Sequence, residues 1–321
     1  MRWTNGILFV ACLGSAQAST LYVSSIDSSE VLTYDGTTGA SVNNPFVSSG
    51  SGGLDEPSGL ALAPNGNLLV ADVGNNDVLE YNASTGALVT TFVSSGSGGL
   101  DHPYGIAYGP NGNLFVVGEF NDQVLEYDGS TGAFVTAFAS GGLSFPVGLT
   151  FGPNGNLFVS SQGNNEVLEY NGSTGAPVST FVSSGSGGLD GPNGLTFGSN
   201  GNLFVVSQDN SEVLEYDGTT GALVTTFVSS GSGGLSNAFG LTFGPNGNLF
   251  VSSVNNEEVL EYDGSTGAFV TTFVSSGSAG LDGPTFLLFS SSTPEPGTWL
   301  LVACGLAILI AAGRKTRRFE R

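Results

Sequence analysis

Between Trp3 and Gly313 the chain has no lysine and no arginine. Its six basic residues are Arg2, Arg314, Lys315, Arg317, Arg318 and Arg321. Against them stand 27 acidic residues, of which only Glu295 and Glu320 lie in the C-terminal 30 positions. The middle therefore carries acid without counter-charge. Carboxylate pairs with Lys or Arg are excluded there, and nucleic acid and anionic membrane surfaces are poor partners. Cysteine is nearly as scarce: Cys12 and Cys304 both fall in terminal apolar runs, so no disulfide staples the middle. Histidine occurs once, at position 102. No zinc-ligand spacing, phosphate loop or nucleophile elbow is present.

The ends explain where the positive charge went. Arg2 precedes the apolar run of residues 7–13, and Ala16-Gln17-Ala18 offers small residues at the positions a signal peptidase reads. Residues 1–18 thus read as a signal peptide. Residues 297–313 form a second apolar run, at the short end for a membrane-spanning helix. Arg314, Lys315, Arg317 and Arg318 follow at once and fix the tail as cytoplasmic. Pro294-Glu295-Pro296, an apolar helix and an arginine-rich tail, in that order, resemble a PEP-CTERM sorting signal over residues 292–321. The resemblance implies a processing partner, an exosortase-type membrane protease. It also implies a protein held by its helix before processing and then delivered to the cell surface or extracellular matrix.

Internal repeats organise the middle. PNGNL begins at Pro64, Pro110, Pro153 and Pro245, with SNGNL at Ser199. VLEY begins at Val78, Val124, Val167, Val213 and Val259, with VLTY at Val31. A period near 46 residues points to propeller blades or helical arrays, and the short apolar runs between glycine-rich turns exclude helices. Each repeat reads as four strands; in the second these are residues 59–63, 68–71, 78–81 and 88–93. Asn65-Gly66 marks a tight hairpin in which both residues tolerate positive φ. The N-terminal repeat, residues 21–48, supplies strands two to four without a strand one. The C-terminal TFLLFS, residues 285–290, is a strand one without followers. Each fragment completes the other. The expected domain, residues 19–291, is an all-β, six-bladed propeller of four-stranded blades, closed by pairing the N- and C-terminal strands.

LLVADVGNNDVLEYNASTGALV resembles an NHL repeat, and residues 21–290 resemble the wider set of six-bladed bacterial propellers that includes lactonases and the streptogramin lyase. Acidic Asp77, Glu166, Glu212 and Glu258 stand where NHL repeats usually have a basic residue, which argues against a nucleic-acid role.

Such propellers bind ligands at the mouth of the central channel. The blades are so alike that departures stand out. One such position, just before the strand-one glycine or its equivalent, holds Ser58, Tyr104, Val147, Asn193, Phe239 and Thr285 around the ring. A second, two residues earlier, holds Glu56, His102, Phe145, Gly191, Asn237 and Gly283. These are the candidate ligand positions; drift in unconstrained loops is the plainer explanation. His102 is the candidate acid or base, with Glu56 and Glu119 the nearest carboxylates to recruit. Glu56, Asn193 and Asn237 form an incomplete analogue of a metal set. Calcium suits the oxygen-rich loops DVGNN, EFND, QGNN, QDNS and NNEE, although no EF-hand spacing is present. Asx turns account for the same composition without metal. SSGSGG reads as a linker-like crossing loop. Two functions fit: a surface or matrix binding module for polysaccharide, cations or protein, or a metal-dependent lactonase or lyase.

Overall fold

The computed structural model describes residues 19–290. The expected signal peptide and sorting segment lie outside the described residues. Among those described, no helix is long and apolar enough to cross a membrane. Residues 20–290 form one compact unit of six antiparallel sheets.

The chain opens with β1 (Thr20–Ser25) and β2 (Glu30–Asp35), the outer part of blade 1. Blade 2 is β3 (Pro57–Leu62), β4 (Leu68–Asp72), β5 (Asp77–Tyr81) and β6 (Leu88–Val93). Blade 3 is β7 (Pro103–Tyr108), β8 (Leu114–Gly118), β9 (Gln123–Tyr127) and β10 (Phe134–Ala139). Blade 4 is β11 (Pro146–Phe151), β12 (Leu157–Ser161), β13 (Glu166–Tyr170) and β14 (Pro177–Val182). Blade 5 is β15 (Pro192–Phe197), β16 (Leu203–Ser207), β17 (Glu212–Tyr216) and β18 (Leu223–Val228). Blade 6 is β19 (Ala238–Phe243), β20 (Leu249–Ser253), β21 (Glu258–Tyr262) and β22 (Phe269–Val274). The last strand, β23 (Pro284–Phe289), returns to blade 1, where the order is β2-β1-β23.

The ring is therefore sealed as the repeat arithmetic expects. Leu21 pairs with Phe289, Tyr22 with Leu288 and Val23 with Leu287. Thr20 and Ser290 exchange two more bonds, 2.8 and 2.9 Å, and Ser25 Oγ both donates to Asp282 O and accepts its N–H. Phe289 packs edge-on against Phe250, as Phe151, Phe197 and Phe243 pack against the phenylalanines of their preceding blades. The core is six apolar wedges between neighbouring blades, and blade 1 lines two of them.

The repeated motifs have structural roles. In PNGNL the turn is type I over Pro64-Asn65, closed by the Gly66 N–H to Ala63 O bond, with only Gly66 at positive φ. This differs from the expected hairpin because Pro64 presets the first turn position. The two asparagines then converge on the glutamate of VLEY: Asn65 and Asn67 both donate to Glu80 Oε1, at 2.8 and 2.7 Å. The same clamp recurs at Glu126, Glu169, Glu215 and Glu261. All five carboxylates are buried, and paired amide donors replace the missing cation. Blade 1 has no such hairpin, because the ring is sealed there, and Thr33 replaces the glutamate.

The fourth strand expected in blade 1 is reduced to isolated bridges, Val31↔Val47 and Tyr34↔Ser41. Pro45 has no N–H for a ladder. The Asn44 side chain acts as a peptide surrogate instead, accepting from Thr33 N–H (2.6 Å) and donating to Thr33 O (2.7 Å).

SSGSGG is no loose linker. The tyrosine of each VLEY or VLTY, fully buried, donates to a carbonyl of the crossing loop that leads into its own blade: Tyr34 to Ser278, Tyr81 to Ser51, Tyr127 to Ser97, Tyr170 to Gly141, Tyr216 to Ser186 and Tyr262 to Ser232. Asn75, Asn121, Asn164, Asn210 and Asn256 each donate to a second carbonyl of the same loops.

Two blades depart from the pattern near the mouth, blade 3 with Gly118 and blade 2 with an acid. Ser25, Ser161, Ser207 and Ser253 end the second strand of their blades and clip the approaching loop through Oγ. Blade 2 has Asp72 there, fully buried, accepting from Asp55 N–H and Asn75 Nδ2 and paired in register with Asp77. Burial, reinforced by the Asp55 charge, pushes the Asp72 carboxyl up to about 6; burial and then Asp72 push Asp77 to about 6.

Removing residues 286–290 should strip the inner strand from blade 1 and lower the melting temperature by about 10 °C or more, read by calorimetry. Unchanged heat resistance would contradict ring closure. Asp72 binds its proton more tightly folded than unfolded, so its contribution is present below pH 4 and lost as pH rises through 6. Asp72→Ser should leave stability at pH 4 nearly unchanged and raise it at pH 7.5 by roughly 2–3 kcal/mol, seen in urea melts at both pH values.

Candidate ligand site at the channel mouth

The inner strands β3, β7, β11, β15, β19 and β23 circle the axis, each touching the next. They approach so closely that a Cβ on Gly59, Gly105, Gly148, Gly194 or Gly240 would fall 2.2–2.8 Å from a carbonyl oxygen of the neighbouring strand. The carbonyls belong to Tyr104, Val147, Asn193, Phe239 and Thr285. This is why glycine recurs there. The candidate residues Ser58, Tyr104, Val147, Asn193, Phe239 and Thr285 thus sit within the inner strands, not in loops before them. The strands begin two residues earlier than the apolar pattern suggests. Ser58, Val147, Asn193 and Thr285 are buried, while Tyr104 and Phe239 are half-buried. Tyr104 and Phe239 come from blades three apart, on opposite sides of the ring, yet their rings lie 6.2 Å apart. Phe286, in the place of the sixth glycine, lies 5.6 Å from Phe239.

The earlier set is a second fixed position. Glu56, His102, Phe145, Gly191, Asn237 and Gly283 all adopt left-handed backbone, with φ between 46° and 61°. Each carbonyl accepts the N–H of the first residue after the second strand: Val73, Glu119, Gln162, Gln208, Val254 and Ile26 in turn. Five are also held by the preceding blade, through Ser29, Asn76, Asp122, Asn165 or Ser211 as side-chain acceptors. The asparagine-rich loops proposed for calcium are thus occupied largely by blade-to-blade bonds. Among the described residues, no group of three or more His, Cys, Asp or Glu is disposed to hold a metal ion. Of Glu56, Asn193 and Asn237, the two asparagines are both bonded to Gln208, while Glu56 belongs to blade 2 and adds to the charge on Tyr104.

What the mouth does gather falls into two sectors. In the first, Gln162 Nε2 donates to Gln208 Oε1 (3.0 Å) and Asn193 Nδ2 donates to the same oxygen (2.6 Å). Gln208 Nε2 donates onward to Asn237 Oδ1 (2.7 Å). In the second, Tyr104 is pushed up to about 12, by burial first and then by the Glu119 and Glu56 charges. Burial raises Glu119, with His102 acting in the opposite direction. His102 Nδ1 lies 3.0 Å from Asp101 Oδ1, the one His-carboxylate pair among the described residues, and its ring stacks on Phe120 at 3.8 Å. The first sector offers hydrogen bonds without charge. The second offers groups able to move a proton. Gln162, Gln208 and Phe120 were not picked out from the sequence. Comparing the blades at the positions after strand two, where Glu119 already stood out, would have found them.

The NHL repeat family matches residues 54–81, through β5 of blade 2. No curated protein matches the chain. Among solved structures, a chain of a nidogen/laminin complex is 16% identical with a TM-score of 0.70, covering 86% of this chain and 99% of that one. A catalytically inactive virginiamycin B lyase from Staphylococcus aureus, crystallised with quinupristin, is 13% identical with a TM-score of 0.56, covering 86% and 93%. A streptogramin B lyase is 14% identical with a TM-score of 0.59, covering 85% and 87%. At these identities the likeness is one of fold: this chain contains an NHL repeat and folds as a six-bladed propeller.

Proposed function

We propose that this is an exported surface or matrix protein whose propeller holds a ligand at the channel mouth without transforming it. The export part rests on residues 1–18 and on the PEP-CTERM-like segment, Pro294-Glu295-Pro296 through Arg321, with an exosortase-type protease as processing partner. The binding part rests on the uncharged amide run Gln162–Asn193–Gln208–Asn237, a set of directional groups with no nucleophile or metal set among them. Similar folds occur in a nidogen/laminin complex and in a lyase crystallised with quinupristin, so the fold itself leaves the choice to the mouth.

A second reading, a propeller lyase or lactonase, is favoured by one observation. His102 is oriented by Asp101 and stands near the half-buried Glu119 beside Tyr104.

The two separate in a panel of lactones and polysaccharides offered to the full chain, with and without calcium. Binding without product is expected, weakened by Gln208→Val or Asn193→Val. Both substitutions introduce a residue the ring already carries at that position, Val254 and Val147, so folding is preserved. Turnover abolished by His102→Ala or Glu119→Gln would establish the enzyme instead. Mass spectrometry of the native protein should find a C-terminus upstream of Trp299; an intact Arg321 would contradict sorting.

A further inference from the structure

Two side chains at the mouth have no part in building the ring. Phe120 and Phe145 are 53% and 49% exposed, and their rings meet edge to face at 6.1 Å. The positions matching Phe120 hold Asp27, Gly74, Gly163, Asp209 and Asn255, so the fold requires no apolar group there. Phe145 has φ 46°, left-handed backbone that disfavours a bulky residue, at a position where blades 5 and 1 carry Gly191 and Gly283. An exposed aromatic in strained backbone is unfavourable for stability twice over.

The aromatic pair continues into the amides. His102 stacks on Phe120, and Phe145 O accepts the Gln162 N–H at 3.1 Å. From Gln162 the run passes to Gln208 and Asn237, and Asn237 approaches Asn255 at 3.5 Å. Flat apolar faces in blades 3 and 4 thus lead into a row of donor-acceptor amides reaching blade 6.

Charge narrows what can lie along this arc. Residues 19–290 hold 25 carboxylates and no lysine or arginine, so an anionic ligand finds repulsion and no partner. Aromatic faces stack on the apolar face of a pyranose, and amides pair donor and acceptor with adjacent hydroxyls. We infer that the arc from Phe120 to Asn255 binds a neutral polysaccharide strand. The inference rests on the mouth reading and gives it a ligand class.

The test uses the full chain in mild detergent, with neutral glucan and mannan oligosaccharides, a uronate oligosaccharide and a basic peptide as probes in calorimetric titration. Phe120→Gly and Phe145→Gly carry the residue found at equivalent positions, so both should melt no lower than the parent. A neutral oligosaccharide should bind and weaken about tenfold or more in either variant, and also in Gln208→Val. No neutral probe retained at millimolar concentration, or equal binding by the phenylalanine variants, overturns the inference. A uronate or peptide whose binding needs Gln208 but neither phenylalanine overturns it too, while leaving the mouth as a site. Binding indifferent to all three substitutions overturns both readings.

Discussion

The backbone pairing of β1 with β23 is the constraint on which the rest depends. The middle of the chain has no disulfide and no Lys or Arg partner for its carboxylates, so neither can hold the blades in a circle. Each blade is bound to the next by apolar packing, in six wedges of similar make-up, and by hydrogen bonds at the rim. Opening the ring between β1 and β23 would expose two of these wedges at once, together with two strand edges. The one sheet built from both chain ends lines two of the wedges, as every blade does, but it is the one sheet where the chain's two ends are joined. Its register is set by Leu21, Tyr22 and Val23 against Phe289, Leu288 and Leu287.

The same lack of cations shapes the interior. A buried carboxylate without partners costs several kcal/mol. Five glutamates are buried nonetheless, because the hairpin that turns each blade aims two asparagine amides at one carboxylate oxygen. Asp72 has instead one side-chain amide, from Asn75, and the Asp55 N–H. It occupies a serine position, its neighbours are acidic, and its proton affinity rises.

Much of the architecture was legible in the sequence. Blade count and closure followed from phase: the N-terminal repeat lacked strand one and the C-terminus supplied it, while the fourth strand expected in blade 1 is reduced to isolated bridges. Residues 88–93 were read with the bounds of β6. The sequence-level pattern fell short where a residue's partner lies in another repeat or far along the same one. Tyr81 and Ser51 are 30 residues apart, and Asn75 and Gly53 are 22. Neither pairing has a local signature, so SSGSGG read as a linker and the asparagines as oxygen ligands. The start of strand one was misplaced because Pro57, Ser58 and their equivalents show no apolar alternation. The candidate residues therefore lie in the inner strands, four of them buried and two half-buried. At the mouth, the departures in Tyr104, Asn193 and Phe239 were visible, but which side chains share a sector depended on the ring's curvature.

Why the mouth is free to vary follows from how its backbone is held. At the left-handed position the six residues run from glycine to phenylalanine, yet φ spans only 46° to 61°. Their carbonyls are fixed by the loop after the second strand, and five of the six N–H groups by a side chain of the preceding blade. Backbone bonds, not the residue's own side chain, therefore set the geometry. A side chain there can be exchanged with little change to the ring, provided the strain of a left-handed non-glycine is borne. Structural duties thus fall on residues other than the variable side chains of the rim. The clamps, tyrosines and inner glycines are repeated because the circle needs them in nearly every blade. The rim differs from blade to blade because nothing in the circle depends on it, and its asymmetry is what a single ligand would read.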